Sequence, residues 1–176
     1  MTTALTMLLA LALDAVLGWP APLFRRIGHP VTWLGRLISA LDRRLNDEAD
    51  SAAARRLAGV VAAFVVIGLA AGIGAGLAAL LPAGWAGLVL GAVLAWPLLA
   101  ARSLHDHVQA VARPLARGDI AGARAAVGMI VGRDPARLDQ AGIARAALES
   151  LAENTSDGIT APLFWGALLG LPGIAA

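Results

Sequence analysis

The chain has 176 residues, of which 59% are hydrophobic and 15% charged, and its mean hydropathy is +0.73. A soluble domain carries about 25% charged residues, so the deficit points to the bilayer. Cysteine is missing, which excludes disulfides, thiolate zinc sites and cysteine nucleophiles. All 14 basic residues are arginine, which excludes a P-loop lysine and a pyridoxal Schiff base.

Residues 4–17 form an apolar run whose one ionisable side chain is Asp14, and the run stops at Gly18-Trp19-Pro20. No arginine precedes them, so the positive region of a signal peptide is missing, and a short first membrane helix is expected over 4–18. Asp14 at membrane depth is a candidate binding residue, because an ionisable group there faces a polar cavity or a partner. The alternative is that it reaches the interface from the helix end. Beyond it, Arg25-Arg26 and Arg43-Arg44 read as anchors for anionic lipid headgroups, and His29, before Pro30, is a second candidate.

The stretch 57–101 holds 45 residues without an ionisable side chain. About 20 apolar residues span the hydrocarbon core once, so two crossings are expected, at 57–81 and 86–101. Proline and glycine at Pro82-Ala83-Gly84 break the run. Trp85 and Trp96 flank the second crossing, at headgroup depth. Gly68, Gly72 and Gly76 recur every four residues, as do Gly87, Gly91 and Ala95, a spacing that predicts close packing of the two helices on each other. Gly72-Ile73-Gly74-Ala75-Gly76 is a superficial match to a nucleotide loop, but no strand precedes it.

The segment 102–158 is polar and helical in pattern. Leu104, Val108, Val111 and Leu115 form one apolar face. Asp119 is a plausible N-cap for a helix through about Val131, and Gly132-Arg133-Asp134-Pro135 breaks the chain. A third helix is expected over 137–153, with Leu138, Ala141, Leu148 and Leu151 inward. His105 and His107, two residues apart, point away from each other on a helix and cannot share a metal. Arg145, Glu149 and Glu153 sit four apart on one face, and Asp157 would extend the row. One reading is a solvated face on which Arg145 pairs with Glu149. The other is a Mg²⁺ site, since that ion takes one or two carboxylates plus substrate phosphates, with Asn154, Thr155 and Ser156 adding oxygens. The last apolar run, 159–176, carries Pro162 and Pro172 and reads as a re-entrant segment or a fourth crossing.

Charge placement orients the chain. Segments 19–56 and 102–158 hold seven arginines each and the 82–86 turn holds none. The positive-inside rule then puts both segments in the cytoplasm. Net charge is only +2, so the pI of 10.9 reflects arginine and no nucleic-acid partner is expected. The fold class is all-α: a polytopic membrane protein with three to four membrane helices, a helical cytoplasmic segment and a single membrane domain over 1–176. Homo-oligomers are compatible with it.

Leu13-Asp14-Ala15-Val16-Leu17-Gly18, Gly28-His29-Pro30-Val31 and Leu34-Gly35-Arg36-Leu37-Ile38 resemble the opening of the CobD/CbiB family of cobalamin biosynthesis. The resemblance continues through Ala101-Arg102-Ser103-Leu104 and Ala126-Val127-Gly128-Met129-Ile130-Val131-Gly132-Arg133-Asp134. It ends in Glu149-Ser150-Leu151-Ala152-Glu153-Asn154-Thr155-Ser156-Asp157-Gly158 and Ala161-Pro162-Leu163-Phe164-Trp165. It implies a bacterial inner-membrane enzyme, adenosylcobinamide-phosphate synthase. Such an enzyme joins aminopropanol or its phosphate to the free propionate of a corrinoid, adenosylcobyric acid, at the expense of ATP.

Residue chemistry on the matched blocks assigns the roles. Without lysine, phosphate charge falls to arginine and Mg²⁺. Arg133 offers a bidentate fork, Glu149, Glu153 and Asp157 offer catalytic and metal oxygens, and Asp14, His29, Asp134, Asn154 and Ser156 complete the substrate-binding set. Two features depart from the family: Trp19 stands where an aspartate often follows the glycine, and family members continue past Trp165 into further membrane segments. The chain therefore reads as an N-terminal half. The competing function is a non-catalytic transport or sensor component, although the central pair has no polar residue at the midplane, where a transporter would need one.

Overall fold

The computed structural model describes residues 2–132 and 134–176, which form helices and turns without a strand. The helices are α1 (Thr2–Leu17), α2 (Ala21–Ile27), α3 (Pro30–Leu45), α4 (Ala52–Ala79) and α5 (Trp85–Ala95). They are followed by α6 (Ala101–Ala116), α7 (Ile120–Val127), α8 (Gln140–Thr155), α9 (Ala161–Leu169) and α10 (Leu171–Ala175). A 3₁₀ turn, Trp96–Leu98, joins α5 to α6, and a π turn, Ser156–Thr160, joins α8 to α9.

Two stretches are long and apolar enough to cross a membrane, Ala52–Ala79 and Trp85–Ala116. A third crossing results if the bent pair Thr2–Leu17 and Pro22–Leu45, at 104° to each other, is one broken span. On α4 the large apolar side chains face outward, with Phe64 73% exposed. Every backbone group of such a helix is bonded internally, so lipid can cover it without leaving a polar group unpaired.

The molecule has two apolar cores. The first joins Met7 and Ala10 of α1 to Ala92 and Ala95 of α5, Leu99, and Leu171 and Ile174 of α10. The second joins Val111 of α6, Ala123 and Val127 of α7, and Ile143, Ala146 and Ala147 of α8. Both ends of the first core are marked. Thr2, Thr3 and Thr6 share a cleft with Pro82, Gly84 and Trp85 at one end, while Asp14 meets Arg102 at the other. The two arginine-bearing segments therefore begin at the same end of the helices.

The expected packing of α4 on α5 does not occur. α5 lies along α1, where Gly91 meets the Thr6 methyl group, and α4 lies along α10. A Cβ on Gly74 would come within 2.6 Å of the Leu171 carbonyl oxygen, whereas one on Gly68, Gly72 or Gly76 would meet nothing within 4 Å. The contact that needs a missing side chain is thus two residues from the predicted stripe, on another face of α4. The run 159–176 descends beside α1, with Thr3 Oγ donating to the Ala167 carbonyl at 2.7 Å. It turns back at Gly170, whose φ of +69° suits only glycine well.

The inward face of α8 also differs from expectation. Ile143, Ala146, Ala147 and Ser150 are buried, and Leu148 is 65% exposed. Small alanines let α8 approach α6 and α7 closely, and this contact outweighs the larger but outward-facing leucine.

Candidate functional site

α8 begins where Asp139 accepts the Gly142 N–H at 2.7 Å, the local bond that starts a helix after the break at Pro135. Its buried stripe recurs at i, i+3, i+4 and i+7 and ends at Ser150, 4% exposed. A hydroxyl there needs a partner, and Ser150 Oγ donates to the Ile130 carbonyl at 2.7 Å. Asn154 Nδ2 donates to Ser150 Oγ at 3.0 Å and to its carbonyl at 2.8 Å. The Ser150 bond ties the chain at Ile130 to the side of α8, and Asn154 holds Ser150 in place.

Beside this seam lies a cavity of about 230 Å³, walled by Ile130, Val131, Gly132 and Ala146 and by Glu149, Ser150 and Glu153. Ligand pockets for drug-sized molecules run to about 300–1,000 Å³. This one suits a phosphate group or the reacting end of a larger substrate. Two of the three predicted carboxylates share it. Asp157 does not line it, because regular α spacing ends at Thr155 and the π turn shifts the next residues off the i, i+4 row. Among the described residues no group of three or more acidic or histidine side chains is placed to hold a metal ion. The donor set offered is therefore a carboxylate pair. Arg133 follows Gly132 at the rim of this cavity in sequence and lies outside the described residues.

The remaining candidates are dispersed. Asp134 Oδ1 accepts the Ala136 N–H at 2.9 Å and shapes the turn before α8. Ser156 and Asp157 are exposed on the π turn. Asn154 supports Ser150 rather than facing a ligand alone. His29 is the N-cap of α3: its Nδ1 accepts the Val31 N–H at 3.2 Å, with Thr32 completing the box. Its ring packs edge-on against Trp19 at 5.0 Å, and burial pushes its pKa below the usual histidine value.

Asp14 is not in the carboxylate cavity. It is 3% exposed, and its Oδ2 accepts the Arg102 N–H at 3.0 Å, capping α6 from a different helix. The residue before α6, Ala100, has no side chain able to do this, and its own N–H bonds to the Gly158 carbonyl at 3.0 Å. The Arg102 guanidinium pairs with Asp106 at 2.9 Å and reaches the Ala15 carbonyl at 3.4 Å. Close by, Trp96 Nε1 donates to the Gly18 carbonyl at 3.1 Å. Three segments far apart in the chain, 14–18, 96–106 and Gly158, thus meet at the start of α6.

The profile of the family described as CobD/Cbib protein matches residues 7–176. The chain belongs to the CobD/CbiB family. Among curated members of that family, it is 58% identical over 175 residues to a protein named cobalamin biosynthesis protein CobD from Rhodobacter capsulatus, covering 99% of this chain and 55% of that protein. Proteins of the same name match at 48% identity in a Sinorhizobium species and at 49% in Brucella suis biovar 1, covering 54% and 52% of their lengths and 99% and 96% of this chain. This CobD/CbiB chain spans about half the length of the curated relatives it matches. No solved structure matches it.

Two residues that matter to the geometry of this CobD/CbiB chain, Ser150 and Gly158, lie in a matched block but have no role assigned from sequence. Ser150 had a detectable signal, a polar residue at the fourth position of an otherwise apolar stripe. Gly158 had none, because its role depends on Ala100, 58 positions away in the chain, packing 3.2 Å from where its Cβ would stand.

Proposed function

We propose that this chain forms part of a membrane enzyme of cobalamin biosynthesis. The enzyme joins aminopropanol, or its phosphate, to the free propionate of adenosylcobyric acid through an amide bond. The observation that carries the reading is the cavity shared by Glu149 and Glu153, which has room for a phosphate group and lies between two of the family's sequence blocks. A carboxylate is a poor electrophile at neutral pH. Phosphoryl transfer from ATP would make it an acyl phosphate with release of ADP. Attack by the amine then forms the amide and expels phosphate and a proton.

Glu149 and Glu153 fit Mg²⁺, which commonly takes one or two carboxylates and completes its shell with phosphate and water. When bound, the ion supplies Lewis-acid neutralisation of phosphate charge. The protein's part is positional. The Ser150–Ile130 bond holds Ile130 and Val131 beside the helix that carries the carboxylates.

Amide formation by membranes containing the full-length protein tests this directly. Product should require both ATP and Mg²⁺. Glu153→Gln and Glu149→Gln, which keep size while deleting charge, should each slow it about tenfold or more, equivalent to about 1.4 kcal/mol in barrier. Raised Mg²⁺ should partly restore the rate. No ATP-dependent product from wild-type membranes would return the protein to a non-catalytic role, and full rates in both variants at limiting Mg²⁺ would remove the carboxylate pair from the chemistry.

A further inference from the structure

α3 and α4 diverge from the turn at 46–51, and the wedge between them encloses an open cavity of about 510 Å³. The space arises from unequal side chains: Ile38, Leu41 and Leu45 of α3 face the small Ala58, Gly59 and Ala62 of α4. At the mouth Asn46 bridges two opposite charges. Its Nδ2 donates to Asp42 Oδ1 at 2.9 Å, and its Oδ1 accepts from Arg55 Nε at 2.8 Å. That bond uses one N–H of Arg55, and a guanidinium carries several more in a fork that suits phosphate.

Depth identifies what fills the wedge. α4 has 28 residues and is about 42 Å long, against a hydrocarbon core of about 30 Å. Its first turns, with Arg55, therefore stand at headgroup level. From Arg55 the wall descends about 18 Å to Ile67, close to the depth of a single leaflet. Below the polar mouth the walls of the wedge are apolar and offer water no partners, and a lipid tail matches them in chemistry and length.

We propose that this cleft holds one phospholipid of the adjoining leaflet whose headgroup carries both phosphate and ammonium. An acyl chain lies along Ala58 and Ala62, the phosphate faces Arg55, and the ammonium faces Asp42. Charge selects the zwitterion over a purely anionic lipid. Residues 42–56 contain four carboxylates and four arginines, so the formal charge around the mouth sums to zero. Arg25 and Arg26, which carry no carboxylate neighbour in sequence, remain suited to anionic headgroups.

The test is native mass spectrometry of the full-length protein after reconstitution in equimolar phosphatidylethanolamine and phosphatidylglycerol. Wild type should retain one phosphatidylethanolamine, favoured about fivefold or more, near 1 kcal/mol. Ala62→Phe fills the wedge and should lose the bound lipid. Asp42→Asn keeps an acceptor for Asn46 while deleting the charge, and should move the retained lipid toward phosphatidylglycerol. Because Asp42 is exposed near the end of α3, this second variant tests the selectivity even if Ala62→Phe fails to fold. Equal retention of the two lipids by wild type, or unchanged selectivity in Asp42→Asn, would overturn the proposal.

Discussion

A carboxylate at membrane depth is expensive unless something uses its charge, and Asp14 is used as a cap. The first N–H groups of a helix have no partner within it and carry the positive end of the helix dipole. Asp14 meets both needs for α6 across 88 positions of chain. Asp14→Ala should therefore destabilise the protein by about 1–3 kcal/mol, the range for orphaning a buried donor. Asp14→Asn, which keeps an acceptor but no charge, should lose less. Thermal unfolding in detergent reads the difference, and equal loss in the two would mean that hydrogen bonding contributes nothing there. His29 makes a pH prediction of opposite origin. As an Nδ1 acceptor it must be neutral, and burial lowers its pKa below the ordinary value of 6.5. Its folded form binds fewer protons than its unfolded form, so its contribution is complete above that value and is lost as pH falls below it. His29→Asn, a good cap at any pH, should flatten this part of the stability profile.

Among the elements, α4 makes the sharpest distinction between glycines. Gly74 admits the backbone of α10, and Gly72 faces open space. Gly74→Leu should lower the unfolding temperature in detergent, whereas Gly72→Leu should leave it nearly unchanged. The reverse ranking would place the close contact on the other face of the helix. The same reasoning applies to α8, where alanines at 146 and 147 set the distance to its neighbours while Leu148 is left outside. Apolar periodicity located both helices but did not select the face, because a glycine or alanine stripe and a leucine stripe compete and only the neighbouring helix decides between them.

At the level of the whole molecule, the first turn of α1 and the 82–84 turn lie at one end of the helices, and the two arginine-bearing segments start at the other. These 176 residues contain no cysteine, so each reporter is the single thiol among them. Ala49→Cys and Ala136→Cys should be labelled by an impermeant reagent from the same face of the membrane, and Ala83→Cys from the opposite one. The arginine count predicts that the shared face is cytoplasmic. Labelling of Ala49→Cys and Ala136→Cys from different faces would contradict both the structure and the charge rule.

Much of this architecture is a direct consequence of local sequence. The uncharged run at 57–101, the break at 82–84, the Asp119 cap and the amphipathic α6 need no tertiary information, since each depends on hydropathy over a helical length or on a bond spanning three residues. The carboxylate pair was legible for the same reason: four residues on a helix bring side chains together wherever the helix lies. What only the tertiary structure decided are relations between distant segments. Asp14 reads identically in sequence whether it binds a ligand or caps a helix, and the choice depends on where Arg102 is brought. Asp157 belongs to the row by counting, yet the π turn between α8 and α9 removes it. A hydrogen bond or a close backbone approach depends on distances of a few tenths of an ångström between elements, and no periodicity within one element encodes them.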